Sequence, residues 1–189
     1  NEPNIDMPEI GKHCQEIMES RHIDVIEMDA ASRTGIADIR EIIDSVNYSP
    51  SSARYKIYII DEVHMLSKAA FNGLLKTLEE PPTHVKFIFA TTEVQKIPLT
   101  ILSRCQRFDL KRFDHDMIKL LINNVCEKEM ISIEDPIIDL IAKASGGSAR
   151  DSLSLLDQAM ALSNDGNISE EKIRQMLGLS DQSRIIDLY

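Results

Sequence analysis

Tryptophan is absent from this 189-residue chain, and aromatic residues make up only 5% of it. A core without large rings has to be built from Ile, Leu, Val, Ala and Met, within a hydrophobic content of 43%. Long apolar runs are also missing. Segments such as Ile57–Ile60 and Phe87–Ala90 fall far short of the roughly 20 apolar residues a membrane-spanning helix needs. Cysteine is scarce: Cys14, Cys105 and Cys126 are odd in number and widely spaced, which argues against a disulfide framework and fits a reducing cytoplasmic compartment. There is no basic excess either. Lys and Arg total 21 against 31 Asp and Glu, a net charge of −10, which excludes a broad nucleic-acid-coating surface but not a local phosphate track. The N-terminus reads Asn-Glu-Pro-Asn, without a basic region followed by an apolar stretch, so no signal peptide is expected. It does not begin with Met, which suggests a piece cut from something longer.

What is present is a change of period along the chain. Residues 1–12 read as loop and 13–21 as a short helix. Ile23–Asp29 alternates apolar and acidic residues, as a strand does, and Ser32-Arg33-Thr34-Gly35 follows as a turn. Ile36, Ile39, Ile42, Ile43 and Val46 recur at helical spacing. Lys56–Val63 is a β-branched run ending in acids, the pattern of a buried strand. Phe71, Leu74, Leu75 and Leu78 mark a helix that Pro81-Pro82 stops. Val85–Thr92 reads as another buried strand and Gln106–Leu110 as a short further one. Beyond residue 114 only helical patterns remain, over 114–130, 134–145, 148–163 and 169–177. Alternating strands and helices imply an α/β fold with a parallel sheet, here followed by a small all-helical domain.

In such sheets ligands bind outside the carboxyl ends of the strands. Tyr58-Ile59-Ile60-Asp61-Glu62 places two acids there, the shape of a Walker B motif. Asp61 could hold Mg²⁺ through water, and Glu62 could orient and polarise an attacking water. A strand that simply ends in solvated acids would look the same. Thr91 and Thr92 end the next strand with hydroxyls, which could bond that water or a γ-phosphate, though turns favour hydroxyls too. Arg104 follows in Ser-Arg-Cys, where an Arg offered to a neighbouring subunit could neutralise transition-state charge. Gly146-Gly147-Ser148-Ala149-Arg150-Asp151 opens a helix, with Ser148 a plausible N-cap. Arg150 then lies in the first turn, a poor place for a cation, which favours a functional duty. Ser32, Arg33 and Thr34 sit where a strand hands over to a helix N-terminus, a natural phosphate site. Arg33 and Arg40, seven residues apart on one helix face, could track a nucleic-acid backbone.

The succession IYIIDEVHMLS, AAFNGLLKTLEEPP, VKFIFATTE, ILSRCQRFDL and GGSARDSLSLLDQA resembles the gamma/tau clamp-loader subunits of bacterial DNA polymerase III, over about residues 13–178. The resemblance implies an AAA+ P-loop-type sheet, here partial, over 1–112, a helical lid domain over 113–178, and the start of a linker or collar over 179–189. It implies that Asp61 and Glu62 are Walker B and that Thr92 is sensor 1, with Thr91 the alternative. Arg104 would be a trans-acting arginine finger and Arg150 sensor 2. Ser32, Arg33, Thr34, Arg40, Lys76 and Lys96 would contact DNA. The implied partners are delta, delta-prime and further gamma/tau copies, the sliding clamp and primer-template DNA, with ATP and Mg²⁺ as cofactors and a cytoplasmic, nucleoid-associated replisome as the location. A non-catalytic assembly scaffold and another AAA+ remodeller of DNA are the alternatives.

Two departures stand out. No G-x-x-x-x-G-K-[ST] occurs, so no phosphate loop is available and this chain by itself should hydrolyse no ATP. The family's C-x-x-C-x-x-C zinc spacing keeps only Cys14. Gly11 and Pro8 stand at the two earlier positions, and His13 does not complete a tetrahedral set, so no zinc is expected.

Overall fold

The structure, a computed structural model, describes residues 9–33, 35–162 and 170–179. The chain divides into two compact units after Phe108, against a boundary expected at 112. Each unit carries its own core.

In the first unit, β1 (Val25–Asp29), β2 (Lys56–Asp61) and β3 (Val85–Phe89) form a parallel sheet in the order β1-β2-β3. The register pairs Asp29 with Asp61 and Ile60 with Phe89, so all three carboxyl ends finish at one edge. Among the described residues, α1 (Cys14–Met18) precedes the sheet, α2 (Ile36–Val46) and α3 (Lys68–Glu79) connect its strands, and α4 (Leu99–Leu102) follows it. Their apolar positions recur at helical spacing, so Ile39, Ile42, Leu74 and Ile101 pack with Tyr58 and Ile60 in one core. Tyr58 supplies the aromatic bulk that tryptophan does not. It is fully buried, stacks on Phe87 at 5.3 Å, and its hydroxyl shares a 2.7 Å hydrogen bond with Ser45.

Two expected strands differ from the reading. β3 is not buried on both faces: burial alternates along it, and the face carrying Lys86 and Ile88 is open, leaving Ile88 49% exposed. Gln106–Leu110 is no strand. A strand exists only through a ladder with another strand, and among the described residues this segment joins no sheet, leaving Leu110 95% exposed.

The second unit holds α5 (His115–Glu129), α6 (Asp135–Ala144), α7 (Ala149–Ala161) and α8 (Glu170–Met176). Ile118, Ile122, Ile137, Ile138, Ile141, Leu156 and Ile173 make its core. Starts are capped as local chemistry dictates: Asp114 accepts the Met117 N–H at 2.8 Å, and Ser148 accepts the Asp151 N–H at 3.2 Å. Residues 180–189, where a linker or collar is expected to begin, lie outside the described residues.

Gly147 is required at the turn into α7. Its φ is +80°, its carbonyl accepts the Phe113 N–H at 3.0 Å, and an added Cβ would come within 2.5 Å of the Phe113 carbonyl oxygen. Gly147→Ala is therefore expected to destabilise the helical unit by roughly 2–4 kcal/mol. Thermal unfolding followed by circular dichroism checks this, and an unchanged melting temperature would refute it.

Candidate active site

The site is built where β2 and β3 end. Asp61 closes β2 with an exposed carboxylate, and its Oδ1 accepts the Glu62 N–H at 2.9 Å. The other carboxylate oxygen remains for a hydrated cation, a donor set that suits Mg²⁺. Glu62 then takes a left-handed conformation, φ 47° and ψ 42°, unusual for a residue with a side chain. This reversal is held from behind: the Val63 N–H donates to the Ala90 carbonyl at 3.0 Å, and Val63 is fully buried. The strain is local and the core over-determines it, as is common at functional sites.

The kink brings Glu62 beside the end of β3. The Thr92 hydroxyl donates to Glu62 Oε2 at 3.2 Å. His64 Nδ1 lies 3.2 Å from the same oxygen and 2.9 Å from Thr91 Oγ1. His64 Nε2 lies 3.4 Å from Glu93 Oε1, which Lys96 Nζ contacts at 2.6 Å. The Lys96 hydrogen bond outweighs partial burial and, with the Lys96 and His64 charges, holds the Glu93 carboxyl below its usual range. The two threonines therefore divide: Thr92 meets Glu62, and Thr91 meets His64. Sequence reasoning missed His64 and Glu93. The signals were a histidine two residues after the acid pair and an i,i+3 Glu93–Lys96 spacing.

Arg104 stands just beyond α4. Its Nη1 donates to the Thr100 carbonyl at 2.6 Å, and its Nη2 pairs with the Glu79 carboxylate at the end of α3. Glu79, in the Leu-Glu-Glu-Pro-Pro segment, was not singled out from sequence. Arg150 is exposed in the first turn of α7, within the second unit.

The candidate DNA-contact residues are spread over the first unit. The Ser32 hydroxyl donates to the Asp29 carbonyl at 3.0 Å, and the Arg33 N–H donates to the same carbonyl at 3.1 Å. Arg33 and Arg40 do not share a helix face. Gly35 caps α2, so Arg33 lies in the preceding turn and only Arg40 is helical. The reason is local: Asp29 Oδ1 accepts the Ala31 N–H at 2.7 Å and closes a turn that helix geometry cannot enter. Thr34 lies outside the described residues. Lys76 is exposed on α3, and the exposed Lys96 is engaged by Glu93.

Near Cys14, folding assembles a group that sequence spacing did not show. Ligand atoms of His13, Glu16 and His22 lie within 4.8 Å of one another. The hydrogen bonds do not suit a metal there. The Nδ1 of buried His22 accepts the Asp24 N–H at 3.0 Å, so its proton sits on Nε2, directed at His13 Nδ1 2.9 Å away. A metal-ligating histidine instead donates its second N–H outward.

Comparison with known proteins decides the family. A family model described as "DNA polymerase III, delta subunit" matches residues 2–114, and one described as "DNA polymerase III clamp loader subunit, ATPase lid domain" matches residues 117–165. The chain belongs to the clamp-loader subunit family of DNA polymerase III. DNA polymerase III subunit tau of Escherichia coli K12 is 50% identical over 93% of this chain, and subunit tau of Bacillus subtilis 168 is 55% identical over 80%. The chain spans 27% of the length of each. Among solved structures, the RuvB Holliday junction branch migration motor of Thermotoga maritima aligns with a TM-score of 0.65 at 18% identity, over 88% of this chain and 56% of that one. That likeness shows a shared AAA+ fold: a parallel sheet with helices, followed by a helical lid. Among the described residues no helix is long and apolar enough to cross a membrane.

Proposed function

We propose that the full-length protein is the ATP-hydrolysing gamma/tau subunit of a clamp loader, which uses ATP binding to open a sliding clamp on primer-template DNA and hydrolysis to release it. The observation that carries this reading is the Thr92–Glu62 hydrogen bond across the adjoining ends of β3 and β2, beside Asp61. A solvated strand end needs no left-handed Glu buttressed by a neighbouring strand. In this reading Asp61 holds Mg²⁺ through water, and Glu62 polarises the attacking water. Thr92 senses the γ-phosphate, Arg104 acts on a neighbouring subunit's nucleotide, and Arg150 reaches the nucleotide from the lid. Exposed Arg33, Arg40 and Lys76, with Ser32, Thr34 and Lys96, meet the DNA backbone. Such contacts are sequence-independent and weaken with salt. Partners are delta, delta-prime and further gamma/tau copies in the cytoplasmic replisome. This chain by itself, without a phosphate loop, binds ATP poorly and hydrolyses none.

Glu62→Gln in the full-length protein, assembled with its partner subunits, tests the reading. Steady-state turnover should fall about 10²-fold, the lower end for a lost general base, with ATP still bound. Turnover at the wild-type rate would sink it.

A further inference from the structure

His64 has no part in the roles above, yet only 6% of its side chain is exposed and it stands between two carboxylates. Its Nδ1 faces Glu62 Oε2 at 3.2 Å and Thr91 Oγ1 at 2.9 Å, and its Nε2 faces Glu93 Oε1 at 3.4 Å. The ring is itself fixed. Thr91 Oγ1 also accepts the Glu93 N–H at 3.0 Å, and Glu93 is tied to Lys96 at 2.6 Å, so the turn after β3 forms a rigid seat for the imidazole.

We propose that His64 is the positioning residue for the Glu62 carboxylate, an inference that rests on the reading of Glu62 as the group that polarises the attacking water. A glutamate side chain is long and loses up to about 2 kcal/mol of rotamer freedom when held still. Here it also projects from a backbone in the left-handed region, at a strand end, with 35% of the side chain exposed. Oε2 is met from two sides: the Thr92 hydroxyl donates to it at 3.2 Å, and the buried His64 ring, its Nδ1 hydrogen-bonded to Thr91 Oγ1, lies against the same oxygen at 3.2 Å. Neither uses Oε1, which is thereby left as the oxygen for the water. Holding a catalytic carboxylate in one rotamer through a buried partner raises the chemical rate without adding affinity for substrate. His64 does this from behind the site and touches no reacting atom.

The test uses the full-length protein assembled with its partner subunits, and compares His64→Ala with His64→Asn. An asparagine amide can place a polar group near the imidazole Nδ1 position, within reach of Thr91 Oγ1 and Glu62 Oε2, whereas alanine cannot. His64→Ala should lower kcat about tenfold, below the loss for a full positional error, with KM and ATP affinity unchanged. His64→Asn should recover most of that loss. On a Glu62→Gln background, His64→Ala should have no further effect, because the group it positions is gone. A wild-type kcat in His64→Ala would overturn the proposal, as would a change confined to KM, an equal loss in the asparagine variant, or an undiminished effect in the Glu62→Gln background. Glu62→Gln alone separates the two layers. If it slows turnover while His64→Ala does not, only the positioning role fails; if it leaves turnover intact, the reading of Glu62 fails and the positioning role with it.

Discussion

Arg104→Ala, in the full-length protein assembled with its partner subunits, is expected to slow ATP turnover by about 10³-fold, the lower end of the range for an arginine finger. ATP affinity of the subunit that carries the change should stay near wild type, because the finger serves a neighbour's nucleotide. The geometry says why one guanidinium can matter this much. Its Nη1 is held by the Thr100 carbonyl at 2.6 Å and its Nη2 by the Glu79 carboxylate, so the long side chain is already directed while 32% of it stays exposed. A pre-aimed cation spends little conformational entropy when a γ-phosphate arrives. Arg104→Lys should not restore the rate, since an ammonium cannot keep both in-chain contacts and present a planar fork. Coupled ATPase assays with DNA and the clamp, beside an ATP-binding titration, separate the outcomes. Wild-type turnover in Arg104→Ala would remove the finger role and favour an assembly scaffold.

Asp24→Asn should destabilise the first unit by roughly 3 kcal/mol, the scale for buried N–H groups that lose a charged acceptor. Asp24 is 1% exposed. Its Oδ1 accepts the Ser51 N–H at 2.7 Å, and its Oδ2 accepts the Ser52 and Ala53 N–H groups at 2.7 Å each and the Ser52 hydroxyl at 3.1 Å. The carboxylate thus anchors the loop entering β2 to the residue that precedes β1. Burial pushes its pKa up, but the Ser51, Ala53 and Ser52 hydrogen bonds outweigh burial and hold it down at about 2, from 3.8. A depressed folded-state value means that the ionised form stabilises the fold. That contribution, about 2 kcal/mol at 1.36 kcal/mol per pKa unit, is complete above about pH 5 and is lost as pH falls through 4 toward 2. Urea unfolding at pH 7 and at pH 3 checks both statements. The gap between wild type and Asp24→Asn should be largest at neutral pH and shrink in acid, and a gap that does not depend on pH would contradict the account.

The contrast between Asp61-Glu62 and His64 shows how far sequence reasoning reached. Asp61 and Glu62 announce themselves, because four apolar residues followed by two acids is a strand with a polar end, whatever surrounds it. His64 carries no such signal, since its meaning depends on Glu93, which reaches it only when β2 and β3 lie side by side. The pairing of Arg104 with Glu79, and of Asp24 with Ser51–Ala53, was invisible for the same reason. Gln106–Leu110 failed in the opposite direction. Its residue pattern is a local property, but a strand is defined by a backbone ladder, and among the described residues the sheet holds only β1, β2 and β3. Seven-residue spacing puts Arg33 on a helix face with Arg40, but the Asp29 turn and the Gly35 cap keep Arg33 in the turn where the local Ser-Arg-Thr-Gly pattern also places it.

Sequence alone therefore determined what depends on nearest neighbours along the chain. It set the period of each apolar pattern, the stop at Pro81-Pro82, the acids at the end of β2 and the succession of segments that names the family. Tertiary structure decided which charges meet, which are buried and which carboxylates are held. A hydrogen bond or an ion pair acts over a few ångströms of space, and only folding brings residues far apart in the chain within that range.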